Sequence, residues 1–119
     1  MRRIRVTGPA KRDIDNVLQR SGEEFGRQAR QRYRKLIDQA IQDLSDDATR
    51  AGVRPIGDIR EGYFIYHLKW SRKTLTDSPV GQPRHLISFY IDHTNAIIVA
   101  RVFHERQMLS RYLKNHNNY

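Results

Sequence analysis

Basic and branched apolar residues alternate in "RRIRVTG" (2–8), the period-2 mark of a half-buried strand. Thr7 or Gly8 can cap a helix at this point, and Pro9 suits the first helical position, where a missing N–H costs nothing. Ala10, Ile14, Val17 and Leu18 recur at helical spacing, which predicts a short amphipathic helix over 9–20. "SGEE" (21–24) has the form of a capping box, Ser21 accepting from the Glu24 N–H and Glu24 reaching back, and predicts that a second helix starts there. In that helix Phe25, Ala29, Tyr33, Leu36, Ile37, Ala40, Ile41 and Leu44 make one apolar stripe. Arg27, Arg30, Arg34, Lys35 and Asp38 take the other face. So short a link between two helices predicts an antiparallel hairpin. The acidic "DLSDDATRAG" (43–52) ends it, with Gly52 as a candidate stop.

The pattern then changes period. "VRPIGDIREGYFIYHLKW" (53–70) reads as two strands turning near "REG"; Phe64, Tyr66, Leu68 and Trp70 point one way, and Tyr63, Ile65, His67 and Lys69 the other. "SRKTLTDSPVGQP" (71–83) has no apolar period and reads as a long loop. "RHLISFYID" (84–92) and "AIIVARVF" (96–103) are two further strands joined by "HTN". The second is almost entirely apolar, which predicts a central position. A last short helix is expected over 105–114, pinned by Leu109 and Leu113. The whole predicts a single α+β domain over 1–119, its helix hairpin packed on one face of an antiparallel sheet.

Composition narrows the function. At 119 residues, 38% hydrophobic and 29% charged, the chain suits one soluble domain with one modest core. No apolar run approaches the roughly 18 residues of a membrane span, and the basic start lacks the apolar stretch of a signal peptide. The absence of cysteine removes disulfides, thiolate nucleophiles and Cys-based zinc sites, and it fits a cytoplasmic location. Lys and Arg number 22 against 13 Asp and Glu, a net charge of +9, and the excess is spread over both halves. A small domain this cationic is drawn to nucleic acid or to an acidic partner.

Phosphate loops of the G-x-x-x-x-G-K-[ST] or G-x-G-x-x-G type are missing, and the five histidines show no helical pair that would hold a metal. No cofactor or metal is expected. The chemistry-bearing stretch is "ARVFHERQMLSRYL" (100–113), which closes a strand and then gathers Arg101, His104, Arg106, Arg111 and Tyr112. With Lys69, Arg72, Lys73 and Arg84 around the loop, these groups can form a cationic end to the sheet. One use is docking on a partner. The other is a ribonuclease centre in which Arg101 and Arg106 stabilise charge and Tyr112 or His104 acts as base. A tyrosine near its usual pKa of about 10 is a poor base without help, which favours docking.

The chain resembles the ParE toxins of the RelE/ParE toxin–antitoxin superfamily. "VTGPAKRDIDNVLQRSGEEFGRQARQRY" is similar to the family's opening strand and hairpin, with Ala10, Asp13 and Ile14 on an Ala-x-x-Asp-Leu-like start and Phe25 and Gly26 on a recurring aromatic-Gly pair. "IREGYFIYHL" resembles its turn into a strand. "IIVARVFHER" carries its Arg-Val-x-His signature at Arg101, Val102, Phe103 and His104. Two departures stand out. Gln107 and Met108 occupy the positions where the family commonly has Met-Asp, and the 71–83 loop is long. The resemblance implies a poison of DNA gyrase neutralised by a ParD-like antitoxin, with a toxin–antitoxin hetero-oligomer as the resting form. Its RelE cousins instead cut messenger RNA, and Arg106 with Tyr112 keeps a spacing similar to their Arg–Tyr pair. Docking on the target is assigned to Arg101, His104, Arg106, Arg111 and Tyr112. The hairpin's outer grooves, at Ile14, Val17, Leu18 and Tyr33, are the candidate antitoxin surface.

Overall fold

A computed structural model describes residues 1–75 and 80–107. β1 (Ile4–Val6) leads into α1 (Gly8–Phe25) and α2 (Arg27–Asp46); β2 (Arg54–Pro55), β3 (Tyr63–His67), β4 (His85–Ile91) and β5 (Ile97–His104) come next, with a 3-10 helix at Leu68–Thr74. Residues 105–107 open the short C-terminal helix.

The start of α1 is set as the sequence implies. Thr7 Oγ1 accepts from the Ala10 N–H at 3.2 Å, and Pro9 fills the first turn. The hairpin turns later than the sequence suggests. Ser21 to Glu24 lie inside α1, and the chain reverses at Gly26, whose φ of 93° only glycine adopts cheaply. The Gly26 N–H closes α1 on the Gly22 carbonyl, and its own carbonyl accepts from Arg30 to open α2. The capping box is therefore not used. Phe25 leaves the apolar stripe and stands 73% exposed at the tip of the hairpin. The rest of that stripe holds: Leu36, Ile37, Ala40 and Leu44 are buried. With α1's Leu18 they pack on Ile87, Phe89, Ile97 and Val99 of the sheet, each full aliphatic burial being worth about 1.5–3 kcal/mol. α2 ends at Asp46, short of Gly52. Gly52 serves a different need: at φ 99° it lies flat under the Trp70 ring.

The strands run in the order β1-β5-β4-β3-β2, with β5 in the interior as its apolar run predicts. The sheet is mixed and not purely antiparallel, because Ile4 to Val6 pair in parallel with Ile97 to Val99. Only a tight turn forces neighbours to be antiparallel, and no turn joins β1 to β5. The second strand expected through Trp70 stops at His67, where the backbone tightens into the 3-10 helix that occupies the first part of the predicted loop. Tyr66 is fully buried there, and its hydroxyl bonds Ser71 at 2.7 Å.

A bulge decides what β5 shows to the core. Ser88 pairs with Arg101 but Phe89 pairs with Val99, so Ala100 is an extra residue. The slip changes the alternation, so that Val102 follows Val99 into the core and Arg101 leaves it.

Candidate functional site

β1 ends at Val6, so β5 needs another edge partner beyond Val99. The start of α1 supplies it. Thr7 N–H donates to the Val99 carbonyl at 3.1 Å and Thr7 Oγ1 to the Ala100 carbonyl at 2.9 Å. One turn on, Asp13 Oδ2 accepts from the Val102 N–H at 3.0 Å. The same carboxylate takes the Arg101 guanidinium in a fork, Nε at 2.7 Å and Nη2 at 3.0 Å. This charge-assisted pair raises the Arg101 pKa, chiefly through the hydrogen bonds. Arg101 is thus the clasp that ties α1 to the sheet edge, and its guanidinium also lies 5.4 Å from the Phe103 ring.

A second polar assembly lies at the same end of the sheet. Tyr33 on α2 accepts from the Arg84 N–H at 3.1 Å and meets His85 Nδ1 at 2.6 Å. Burial drives the His85 pKa down to about 4, with His104 and His67 adding to the shift, so the ring is neutral at physiological pH. The donor in the Tyr33–His85 bond is set by the tautomer of this neutral ring. Burial likewise lifts the Tyr33 hydroxyl to about 12, which disqualifies it as a base. His85 stands edge-on to His104, ring centres 5.2 Å apart. His104 in turn caps the C-terminal helix: its Nδ1 accepts from the Arg106 N–H, and Gln107 Oε1 accepts from the His104 N–H, both at 3.1 Å. The reciprocal bonds are those of a capping box. Gln107, one of the departures from the family pattern, therefore holds the first turn of that helix.

Glu105 completes the assembly. It accepts from Arg84 Nη1 at 2.8 Å and from His67 Nε2 at 3.1 Å. His67 Nδ1 is itself an acceptor, from the Lys69 N–H, so Nε2 carries the proton. The Arg84 bond first, then His67, holds the Glu105 carboxyl below its usual range. Among the described residues there is no group of three or more His, Cys, Asp or Glu placed to hold a metal ion.

Between this assembly and the hairpin lies a groove of about 1060 Å³, with Val17, Phe25 and Ala29 on the helix side and Val80, Val102 and His104 on the sheet side. Arg20, Arg32, Arg84 and Arg106 face it against Asp13 and Glu24. Asp13 is committed to Arg101, and Glu24 lies 3.8 Å from Arg20.

The sequence-predicted residues separate on this geometry. His104 and Arg106 share the groove. Arg101 is held by Asp13, a partner that its sequence neighbourhood does not reveal. Val17 and Tyr33 line the groove, and Ile14 packs half-buried on the core. Leu18 corrects the expected antitoxin surface: at 1% exposure it belongs to the core and presents nothing to a partner. Arg111, Tyr112, Leu109 and Leu113 lie outside the described residues, as do residues 76–79 of the expected loop. Tyr33, His85 and Glu105 were not expected to form one network; the only signal was two histidines on neighbouring strands.

No described helix is long and apolar enough to cross a membrane. No curated protein matches the chain. The family described as "ParE toxin of type II toxin-antitoxin system, parDE" matches residues 4–109, from the first residue of β1 to beyond the Gln107 cap. The match takes in the Arg101 clasp, the Tyr33–His85–His104 network and the groove together, and by it the chain belongs to the ParE toxins of type II toxin–antitoxin systems.

Proposed function

We propose that this toxin arrests growth in the cytoplasm by poisoning DNA gyrase, and that a ParD-like antitoxin holds it inactive in a hetero-oligomer. The observation that carries the reading is the family match along nearly the whole chain, including the Arg101-Val102-Phe103-His104 signature. The chemistry of the sheet end supports docking over catalysis. Arg101 is occupied by Asp13, Tyr33 is a hydroxyl raised to about 12, and His85 is neutral with little basicity left at about 4. A ribonuclease built on Arg101, Arg106 and Tyr112 would have to break the Asp13 clasp before Arg101 could reach a phosphate.

The groove supports the antitoxin part of the reading. Its apolar floor and arginine rim fit an amphipathic segment with carboxylates along its flanks, and opposite charge speeds such an encounter. Induced expression in bacteria tests the target. Gyrase poisoning predicts induction of the DNA-damage response with ongoing protein synthesis. Immediate arrest of translation without DNA damage would replace this reading with the ribonuclease one.

A further inference from the structure

The 3-10 helix at Leu68–Thr74 sorts its side chains by threes. With three residues per turn, positions three apart stack on one edge, about 6 Å from each other. Leu68, Ser71 and Thr74 take the inner edge: the first two are fully buried, and the Thr74 hydroxyl donates to Asp43 Oδ2 at 3.0 Å. Lys69 with Arg72, and Trp70 with Lys73, are left on the two outer edges, and all four are exposed. Trp70 is 45% exposed although Gly52 lies flat against one side of its ring, so what is open is the other side and the rim. Lys69 Nζ lies 5.7 Å from the ring centre, and Arg54, two residues past Gly52, is exposed as well.

The charge around this ring is unbalanced. Lys69, Arg72, Lys73 and Arg54 enter no ion pair among the described residues, and Arg72 gives one N–H to the Gly81 carbonyl. The carboxylates of the neighbouring elements are engaged. Asp43 accepts from Arg50, Gln39 and Thr74, and Glu105, beyond the His67 cap, from Arg84 and His67. Asp46 accepts from Gln42, and Asp47 from the Thr49 N–H and hydroxyl. Those last two are bonded to neutral groups and keep their charge, which sets the four cations against two anions. Asp38 lies more than a turn before Asp43 on α2, Asp58 and Glu61 lie in the turn at the far end of β3, and Asp77 lies outside the described residues. A protein partner needs an apolar core to bury. Here Trp70 offers one ring, and the other exposed large hydrophobics among the described residues, Met1 and Phe25, sit at the chain start and the hairpin tip. One ring among cations suits a nucleic-acid strand, whose bases stack on aromatic faces while cations track the phosphates. A duplex keeps its bases stacked on each other, so an unpaired strand is the one that offers a base face.

We propose that this corner of the molecule binds single-stranded DNA, one base lying on the open side of the Trp70 ring and the flanking phosphates meeting Lys69, Arg72, Lys73 and Arg54. The choice of DNA over RNA rests on the gyrase reading, in which the toxin works on a DNA-bound enzyme; the stacking chemistry does not rest on it.

Trp70 is the sole tryptophan, so its emission reports on the site in the unaltered full chain. Oligothymidylate is expected to quench it, in step with the anisotropy of a labelled copy of the strand. Binding without quenching would put the strand elsewhere and overturn the proposal. Trp70→Leu is expected to weaken binding about tenfold and Trp70→Phe to keep most of it, with thermal melts confirming that each variant folds. Lys69→Gln with Lys73→Gln is expected to lower the salt slope by about 1.4, two phosphates at about 0.7 each. Arg27→Gln, Arg30→Gln and Arg34→Gln on the first turns of α2 remove more charge and are expected to leave binding nearly intact. Equal weakening by that triple variant, or equal quenching by a duplex of the same length or by polyglutamate, would reduce the site to general attraction for polyanions and defeat the idea. Tighter binding of oligouridylate would overturn the choice of DNA. The same proteins in a gyrase cleavage assay separate the two claims. Poisoning by a toxin whose Trp70 is not quenched sinks this surface alone, whereas quenching with no poisoning sinks the gyrase reading and leaves the surface standing.

Discussion

Asp13→Ala tests whether the Arg101 clasp is structural. Among the described residues the carboxylate accepts two hydrogen bonds from the Arg101 guanidinium and one from the Val102 N–H. Val102 is 3% exposed, so its N–H loses its partner in a place water does not readily reach. An unsatisfied buried N–H costs about 1–3 kcal/mol. The Arg101 side chain is 37% exposed, so solvent screens the lost ion pair and little more than about 1 kcal/mol is added. The sum is about 2–4 kcal/mol, or roughly 10–15 °C in melting temperature for a chain of this size. Asp13→Asn keeps an oxygen for Val102 and is expected to cost only about 1 kcal/mol. Arg101→Ala is expected to cost about as little, because Asp13 keeps the same backbone bond. Urea denaturation of all three, with the double variant closing a cycle, measures the terms separately. Asp13→Ala and Arg101→Ala of equal cost would refute the argument, since the Val102 bond would then carry nothing.

Three further outcomes rest on packing and burial. Gly52→Ala places a Cβ 2.4 Å from the Trp70 ring at a φ of 99°, so it is expected to cost about 1–2 kcal/mol and push the ring outward. Trp70 is the sole tryptophan, so a red-shifted emission reports the displacement directly, and an unchanged spectrum would contradict it. Leu18→Ala is expected to destabilise by about 2–5 kcal/mol, read by thermal melting, because the side chain is fully buried. His85 binds its proton in the unfolded chain at about 6.5 but in the folded protein only at about 4. The unfolded state therefore takes up more protons between those values, and stability is complete above pH 6.5 and falls as pH drops toward 4, by on the order of 3 kcal/mol. Denaturation at a series of pH values should show that slope in the wild type and a flatter one in His85→Asn.

Much of the fold was legible because its periods were clean. The apolar run at Ile97–Val99 announced an interior strand, and Leu36, Ile37, Ala40 and Leu44 announced the buried face of α2. What failed did so for local reasons. "SGEE" is as good a helix interior as a helix start, and Gly26, able to take a positive φ, drew the turn to itself. The bulge at Ala100 was invisible to alternation because every residue around it is apolar except Arg101, and that one residue changes role with the slip. The direction of β1 depended on contacts with the far end of the chain. The candidate site was legible as composition and not as geometry. Arg101 and His104 were visible as charged residues at a strand end. Their partners, Asp13 on α1 and His85 with Tyr33 behind it, come from elements far away in sequence.

The central claim is that this ParE-family toxin acts on gyrase and not on messenger RNA. The most direct measurement gives one preparation of the purified toxin two substrates side by side: gyrase with plasmid DNA and ATP, and programmed ribosomes with a defined message. The account predicts accumulation of protein-linked, cleaved plasmid and an intact message. Cut message with no trapped plasmid would contradict it.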